Sequence, residues 1–183
     1  MTVTTRAVAA LVAVVWLSSA AGCGSTTEGK PVEATGTSTT DPDEPAGLFD
    51  PCTEISDDLL RQMGVDPATE SSGISGVEFE DWKICHWIAP WYALTIYSSS
   101  RTIDEIRTNS TVTAFREVRV AQREALEYHT KSDRPPDDCF VGIAVPGGIV
   151  EIQIMAKYLE PKLEEPCVVA ERDVEILDDI LPN

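Results

Sequence analysis

Cysteine is the residue type with the most distinctive chemistry in this chain of 183 residues. The first of the five cysteines, Cys23, directly follows a run of small residues at 18–22 (SSAAG). Small side chains before a cysteine are typical of exported lipoproteins, in which the thiol receives a diacylglycerol and acyl chains such as palmitate. Cys23 is therefore the predicted lipidation site of a lipobox, although Ala20 stands where such sequences usually carry Leu. An ordinary secretory signal with a chance cysteine is the alternative.

The residues before Cys23 fit this interpretation. Arg6 precedes an apolar run at 7–17, which is shorter than the roughly 20 residues that span a bilayer and is typical of a signal peptide. We therefore interpret 1–22 as a lipoprotein signal peptide. Residues 23–47 are interpreted as the lipidated cysteine and a flexible acidic and Ser/Thr-rich tether. Residues 48–183 then form a single domain, anchored at the outer face of the cytoplasmic membrane in the cell envelope.

Four cysteines remain in the domain: Cys52, Cys85, Cys139 and Cys167. An even number without a Cys-x-x-Cys motif, in an exported chain, predicts two disulfides, and three pairings are possible. Asp-Pro-Cys at Cys52 and Glu-Pro-Cys at Cys167 are matching contexts, each at a predicted helix start, which favours Cys52–Cys167 with Cys85–Cys139. A zinc site that includes His86 or His129 is the alternative, but metal-type spacing is missing. We predict no metal and no cofactor.

Catalytic motifs are scarce. The chain has two histidines and no Gly-x-Ser-x-Gly element, so a hydrolase triad would have to be assembled from distant residues. Paired carboxylates such as Asp57-Asp58 and Asp178-Asp179 are expected by chance among 31 acidic residues. The sequence therefore predicts a protein that is not an enzyme.

Aromatic residues are concentrated in one stretch, where Trp87, Trp91, Tyr92 and Tyr97 lie close together in the sequence. An exposed aromatic patch, or the wall of an apolar pocket, is typical of a binding site. These four residues form the candidate binding patch. The alternative is a core strand with an aromatic rim.

The charge restricts the possible partners. The chain has 14 basic and 31 acidic side chains and a formal net charge of −17. This balance argues against nucleic acid, because phosphate binding requires clustered Lys and Arg. It also argues against docking on anionic lipid through a basic face. An acidic domain instead attracts basic protein partners.

The elements of the first half are a helix followed by strands. A helix is predicted over 51–63, ended by Gly64, and a loop over 70–76. Strands are predicted over 77–82 and within the apolar stretch 85–97, where Pro90 marks a break or an edge.

In the second half, Thr102 to Glu105 forms a capping box for a helix over 103–109, and residues 115–130 are predicted to form one long strand. Pro146-Gly147-Gly148 indicates a hairpin between strands 139–145 and 149–155. The alternation along the second of these strands predicts that Glu151 and Gln153 face water.

The final helix is predicted over 166–181, with a buried stripe through Ala170, Val174 and Leu177 and with Asp173 among the acids of the polar side. The whole pattern predicts an α+β domain in which a mainly antiparallel sheet packs with N- and C-terminal helices and carries two disulfides.

These residues together resemble an uncharacterised family of actinobacterial lipoproteins, a domain of unknown function that includes LprB-like and LprC-like proteins of mycobacteria. The resembling features are the lipobox at Cys23, Phe49-Asp50-Pro51-Cys52, Gly64, Cys85-His86-Trp87, Arg123, Ala125, Cys139, Pro166-Cys167 and Leu181-Pro182. The chain has Gln122-Arg123 where such proteins often have Gly-Arg. The resemblance implies export, anchoring and the four-cysteine framework, but no activity.

Two functions fit these expectations. The first is a membrane-anchored, non-catalytic binding module for a protein partner in the cell envelope. The second is a carrier or sensor of a small apolar or lipidic ligand, suggested by the aromatic cluster.

Overall fold

The computed structural model describes residues 47–77, 79–132 and 137–183. The predicted signal peptide, the lipidation site Cys23 and the tether up to residue 46 lie outside the described residues. Within the described part, no helix is long and apolar enough to cross a membrane.

A seven-stranded antiparallel sheet forms the centre of the described domain. Its strands are β1 (Asp66–Ser72), β2 (Trp82–Ile88), β3 (Tyr92–Ser99), β4 (Val112–Val120), β5 (Arg123–Thr130), β6 (Asp138–Val145) and β7 (Gly148–Ala156). Their order is β1-β2-β3-β7-β6-β5-β4. Two meanders, β1 to β3 and β4 to β7, therefore meet where β3 pairs with β7.

Four helices are present in the described residues. They are α1 (Pro51–Glu54), α2 (Asp57–Gln62), α3 (Ile103–Thr108) and α4 (Pro166–Leu177). The N-terminal helices and α4 cover one face of the sheet, here called the helix face. Helix α3 lies against the other face, here called the open face. The predicted α+β architecture with N- and C-terminal helices is confirmed.

The main core fills the space between the sheet and the helix face. In β7, Val150, Ile152 and Ile154 are fully buried against α4, whose Val174 and Leu177 are also fully buried. Burying such side chains completely is worth about 1.5–3 kcal/mol each, so this layer dominates the stability of the domain.

The predicted disulfide pairing is wrong. The bonds are Cys52–Cys85 and Cys139–Cys167, not Cys52–Cys167 and Cys85–Cys139. The matching Pro-Cys contexts do mark helix starts, but each helix start is bonded to the strand against which its helix packs, α1 to β2 and α4 to β6. The bonds close loops with separations of 33 and 28 residues. By the chain-entropy account each stabilises the fold by about 4 kcal/mol.

The structure also corrects several element boundaries. The predicted helix 51–63 is divided at Ile55, because the Ser56 side chain accepts a hydrogen bond from the Leu59 backbone and starts a second helix. The predicted strand 115–130 is a hairpin that turns at Ala121, with φ of 52°.

In the first meander, most of the predicted strand 77–82 belongs to the connection between β1 and β2. The predicted loop 70–76 contains the end of β1. By contrast, the capping box of Thr102 and Glu105, the break at Pro90 and the β6–β7 hairpin are confirmed.

Asp173 differs most from its predicted environment. Its side chain is fully buried in α4 rather than solvent-facing, and neither carboxyl oxygen has a hydrogen-bond partner among the described residues. Burial raises the pKa of Asp173 from 3.8 to about 8, and the nearby Arg172 opposes the rise only in part. The folded protein therefore holds this proton at pH values where the unfolded chain has released it.

We expect Asp173→Asn to flatten the pH dependence of stability. Because the folded pKa is the higher one, the stabilising effect of the proton is complete below about pH 4 and is lost as the pH rises towards about 8. Relative to the variant, the wild type should lose on the order of 1.4 kcal/mol of unfolding free energy per pH unit in this window. Denaturant unfolding at several pH values measures the difference. The control, Asp179→Asn, changes an exposed carboxylate nearby and should follow the wild type; parallel curves for all three proteins would contradict the assignment.

Candidate functional site

The open face of the sheet carries a pocket of about 450 Å³. Its base is formed by sheet residues, and its walls come from α3, from the chain that follows α3 and from the connection between β1 and β2. The lining residues are Ile74, Phe79, Trp82, Ile84, Tyr97, Arg101, Ile106, Asn109, Thr111, Val112, Tyr128, Thr130, Phe140 and Glu151. The volume and the mainly apolar lining are typical of a site for a small molecule.

Aromatic rings form a row across the base of the pocket. Trp82 on β2 meets Tyr97 on β3 edge to face, with ring centroids 6.2 Å apart. Tyr97 lies 6.2 Å from Phe140 on β6 across the intervening β7. Phe140 in turn stacks on Tyr128 of β5 at 4.9 Å and an interplanar angle of 5°. Side chains from four strands thus create one continuous aromatic surface.

Two polar side chains of β7 lie beneath this row. Tyr128 donates a hydrogen bond from its hydroxyl to the Glu151 carboxylate, and Tyr97 donates one to Oε1 of Gln153 at 2.8 Å. The prediction that Glu151 and Gln153 face water is wrong, since the two residues are only 4% and 6% exposed. The alternation along β7 is real, but the second face of the strand is covered by aromatic rings instead of solvent.

The environment of Glu151 favours its uncharged form. Burial raises the pKa of Glu151, while the hydrogen bond from Tyr128 and the charge of Arg101 act in the opposite direction. Burial likewise raises the pKa of the Tyr128 and Tyr97 hydroxyls, so both remain protonated donors. The Arg101 guanidinium lies over the Trp82 ring, 5.2 Å from its centroid, and places one cation among the lining residues.

Only one of the four residues of the candidate binding patch lies at this pocket. Tyr97 lines the pocket, whereas Trp87, Trp91 and Tyr92 are buried on the helix face or at the end of the sheet. They form no exposed patch, which agrees with the alternative of a core strand. Tyr92 donates its hydroxyl hydrogen bond to the Met63 carbonyl and so ties β3 to the end of α2.

Residues 19–178 match the family described as "Protein of unknown function (DUF3558)". The chain belongs to this family. No curated protein and no solved structure matches the chain. The DUF3558 match spans all seven strands and the whole of α4, so both faces of the sheet belong to the family region.

Sequence reasoning missed most of the DUF3558 pocket. Glu151, Tyr128, Phe140 and Arg101 come from separate strands and a loop, and none forms a motif with another. The one available signal was the alternation along β7, which places Glu151 and Gln153 side by side on one face. Whether that face met water or aromatic rings depended on strand order, which the sequence pattern did not specify.

Neither histidine is among the pocket-lining residues that the structure describes. The alternative of a zinc site would require cysteine thiolates as ligands. Both groups of potential metal ligands in the described residues include two cysteines, and each of those pairs is joined in a disulfide.

Proposed function

We propose that this DUF3558 protein binds a small, mainly apolar ligand in the pocket on the open face of its sheet. The observation that carries the proposal is the aromatic row above a buried, hydrogen-bonded carboxyl group in a pocket of about 450 Å³. A site of this kind removes an apolar ligand from water and orients it through a few polar groups. Such a protein acts as a carrier or a sensor and needs no catalytic residue.

The lining also supports a proposal about the ligand's chemistry. Rings of Trp82, Tyr97 and Phe140 favour a flat or chain-like apolar body that stacks or packs against them. Glu151 and Arg101 offer a hydrogen-bonding carboxyl and one cation, which supports a single polar group on the ligand. We therefore propose a lipidic or aromatic molecule with one polar end.

A neutral fluorescent probe, N-phenyl-1-naphthylamine, should bind saturably with one probe per chain. Residues 23–183 carrying Cys23→Ser serve as the protein, because without the apolar run at 7–17 and the acyl chains they need no detergent that would compete for the pocket. Phe79→Ala removes a ring from the pocket lining and should weaken probe binding about tenfold, equivalent to about 1.4 kcal/mol.

Val168→Ala is the control. Val168 is similarly exposed, at 52% against 44% for Phe79, and lies on α4, which packs against the opposite face of the sheet from the pocket. Its substitution should leave probe affinity unchanged. Absence of saturable fluorescence enhancement, or equal weakening by both substitutions, would refute binding in this pocket.

We further propose that the domain is held at the cell membrane as a lipoprotein. The small residues before Cys23, the apolar run and the polar tether support this, as does the resemblance to actinobacterial LprB-like and LprC-like lipoproteins. A membrane-tethered pocket would meet apolar ligands at the surface where they are most concentrated.

Lipidation at Cys23 predicts covalent incorporation of fatty acid. In the native host, the wild type should incorporate labelled palmitate, because the modified cysteine carries acyl chains. Cys23→Ser should abolish the incorporation, whereas Ser25→Ala should not. Labelled palmitate in the Cys23→Ser protein would contradict lipidation at this residue.

A protein partner in the cell envelope is the second candidate function. It is favoured by the connection between β7 and α4, where Tyr158, Leu159 and Leu163 are 85%, 87% and 74% exposed. Exposed apolar side chains grouped in this way are typical of protein interaction sites. The net charge of −17 favours a partner with basic groups around that contact.

Crosslinking on intact cells distinguishes the two candidates. A specific partner should be recovered with the wild type and with Phe79→Ala, and should be lost with Leu159→Asp combined with Leu163→Asp and at high salt. Recovery of the same proteins with the double variant would exclude this surface. Loss with Phe79→Ala instead would assign the partner to the pocket.

A further inference from the structure

The disulfide Cys139–Cys167 lies in surroundings that differ from those of Cys52–Cys85. On the helix face, Nε2 of His129 lies 3.8 Å from Sγ of Cys167. Nδ1 of the same ring lies 2.6 Å from the backbone oxygen of Asp138. A carbonyl oxygen only accepts hydrogen bonds, so Nδ1 is the nitrogen that donates to Asp138 and Nε2 is the nitrogen that faces the sulfur.

The second difference is the helix that carries each cysteine. Cys167 is the second residue of α4, which has 12 residues, and its N-cap residue Glu165 makes no side-chain capping hydrogen bond. The partial positive charge of this helix end is therefore available to a thiolate on Cys167. Cys52 occupies the same position in α1, but α1 has four residues and the Asp50 carboxylate already accepts a hydrogen bond from the Cys52 backbone nitrogen.

The acidic residues near the two disulfides also differ in whether a cation neutralises them. Glu127 lies near the Cys139–Cys167 sulfurs, but Arg116 neutralises it through two hydrogen bonds and also pairs with Glu171, in the first turns of α4. The carboxylate of Glu70 lies near the Cys52–Cys85 sulfurs. No ion pair of Glu70 occurs among the described residues. Its negative charge opposes formation of a thiolate there.

We propose that Cys139–Cys167 is a redox-active disulfide that exchanges with protein or peptide dithiols through Cys167, and that Cys52–Cys85 is structural. Access permits the exchange but does not distinguish the two bonds, because each joins a partly exposed cysteine to a fully buried one. In the redox-active bond Cys167 is the partly exposed residue and Cys139 is fully buried. An incoming thiolate therefore reaches Cys167 first, and the buried sulfur becomes the internal leaving group. This site is on the opposite face of the sheet from the pocket and does not depend on the ligand.

The exchange proceeds in two steps. In the first step, a thiolate of the incoming dithiol attacks Sγ of Cys167, the bond to Cys139 breaks, and Cys139 leaves with the electron pair and takes up a proton. In the second step, the other thiolate of the dithiol attacks its own sulfur in the mixed disulfide, and Cys167 leaves as a thiolate. The dithiol loses two electrons and becomes a disulfide, while Cys139 and Cys167 gain them. The proton that the second thiol releases passes to Nε2 of His129, and the resulting imidazolium, together with the start of α4, stabilises the departing thiolate of Cys167.

Graded reduction of the folded protein tests this proposal. The full chain with Cys23→Ser is exposed to increasing dithiothreitol, free thiols are blocked by alkylation, and peptide mass spectrometry identifies the freed cysteines. Cys139 and Cys167 should become free at least about tenfold faster than Cys52 and Cys85. Cys52–Cys85 is an internal reference, because global unfolding would expose both bonds together. Simultaneous opening, or earlier opening of Cys52–Cys85, would overturn the proposal.

Histidine substitutions test the role of the ring. His129→Gln should remove most of the rate difference, and the thiolate absorbance of reduced Cys167 should then titrate nearer the ordinary pKa of about 8.5. His86→Gln is the matched control. His86 follows Cys85 in β2, but its position in the strand directs it to the opposite face from that disulfide. An unchanged rate and unchanged thiolate titration in His129→Gln would refute the contribution of the ring.

Discussion

The pairing of β3 with β7 is the interaction on which the rest of the structure depends. It joins the two meanders through eight consecutive residue pairs, from Tyr92 opposite Ala156 to Ser99 opposite Ile149. The chain has to travel through α3 and three further strands before this pairing can form. Gly148 at the start of β7 is required for the close fit, because a Cβ atom there would lie 1.8 Å from the Ser99 carbonyl oxygen.

Because β7 lies in the centre of the sheet, both of its faces are buried, and the two faces have different surroundings. One face supplies Val150, Ile152 and Ile154 to the apolar core beneath α4. The other supplies Glu151 and Gln153, each of which accepts a hydrogen bond from a tyrosine hydroxyl. Stability is thus concentrated on the helix face. The open face keeps a cavity whose polar groups are already positioned, so a ligand would meet an organised site.

Local chemistry made part of this structure predictable from sequence. The capping box at Thr102, the glycine-containing hairpin before β7 and the proline-led start of α4 are short-range signals, and they gave the correct elements. Contacts between residues far apart in the sequence could not be predicted from short-range signals. The disulfide pairing, the burial of Asp173 and the covering of Glu151 all depend on which strand lies beside which, and the matching contexts of Cys52 and Cys167 pointed to the wrong partner.

The observed disulfides join cysteines in the order in which they occur along the chain, first with second and third with fourth in the described domain. Neither bond encloses another cysteine of the domain, so joining each cysteine to its neighbour in sequence makes only native bonds. The first bond lies within the part of the chain that forms β1 to β3, and the second joins β6 to α4. The two halves of the sheet can therefore be cross-linked independently and in the order of the sequence.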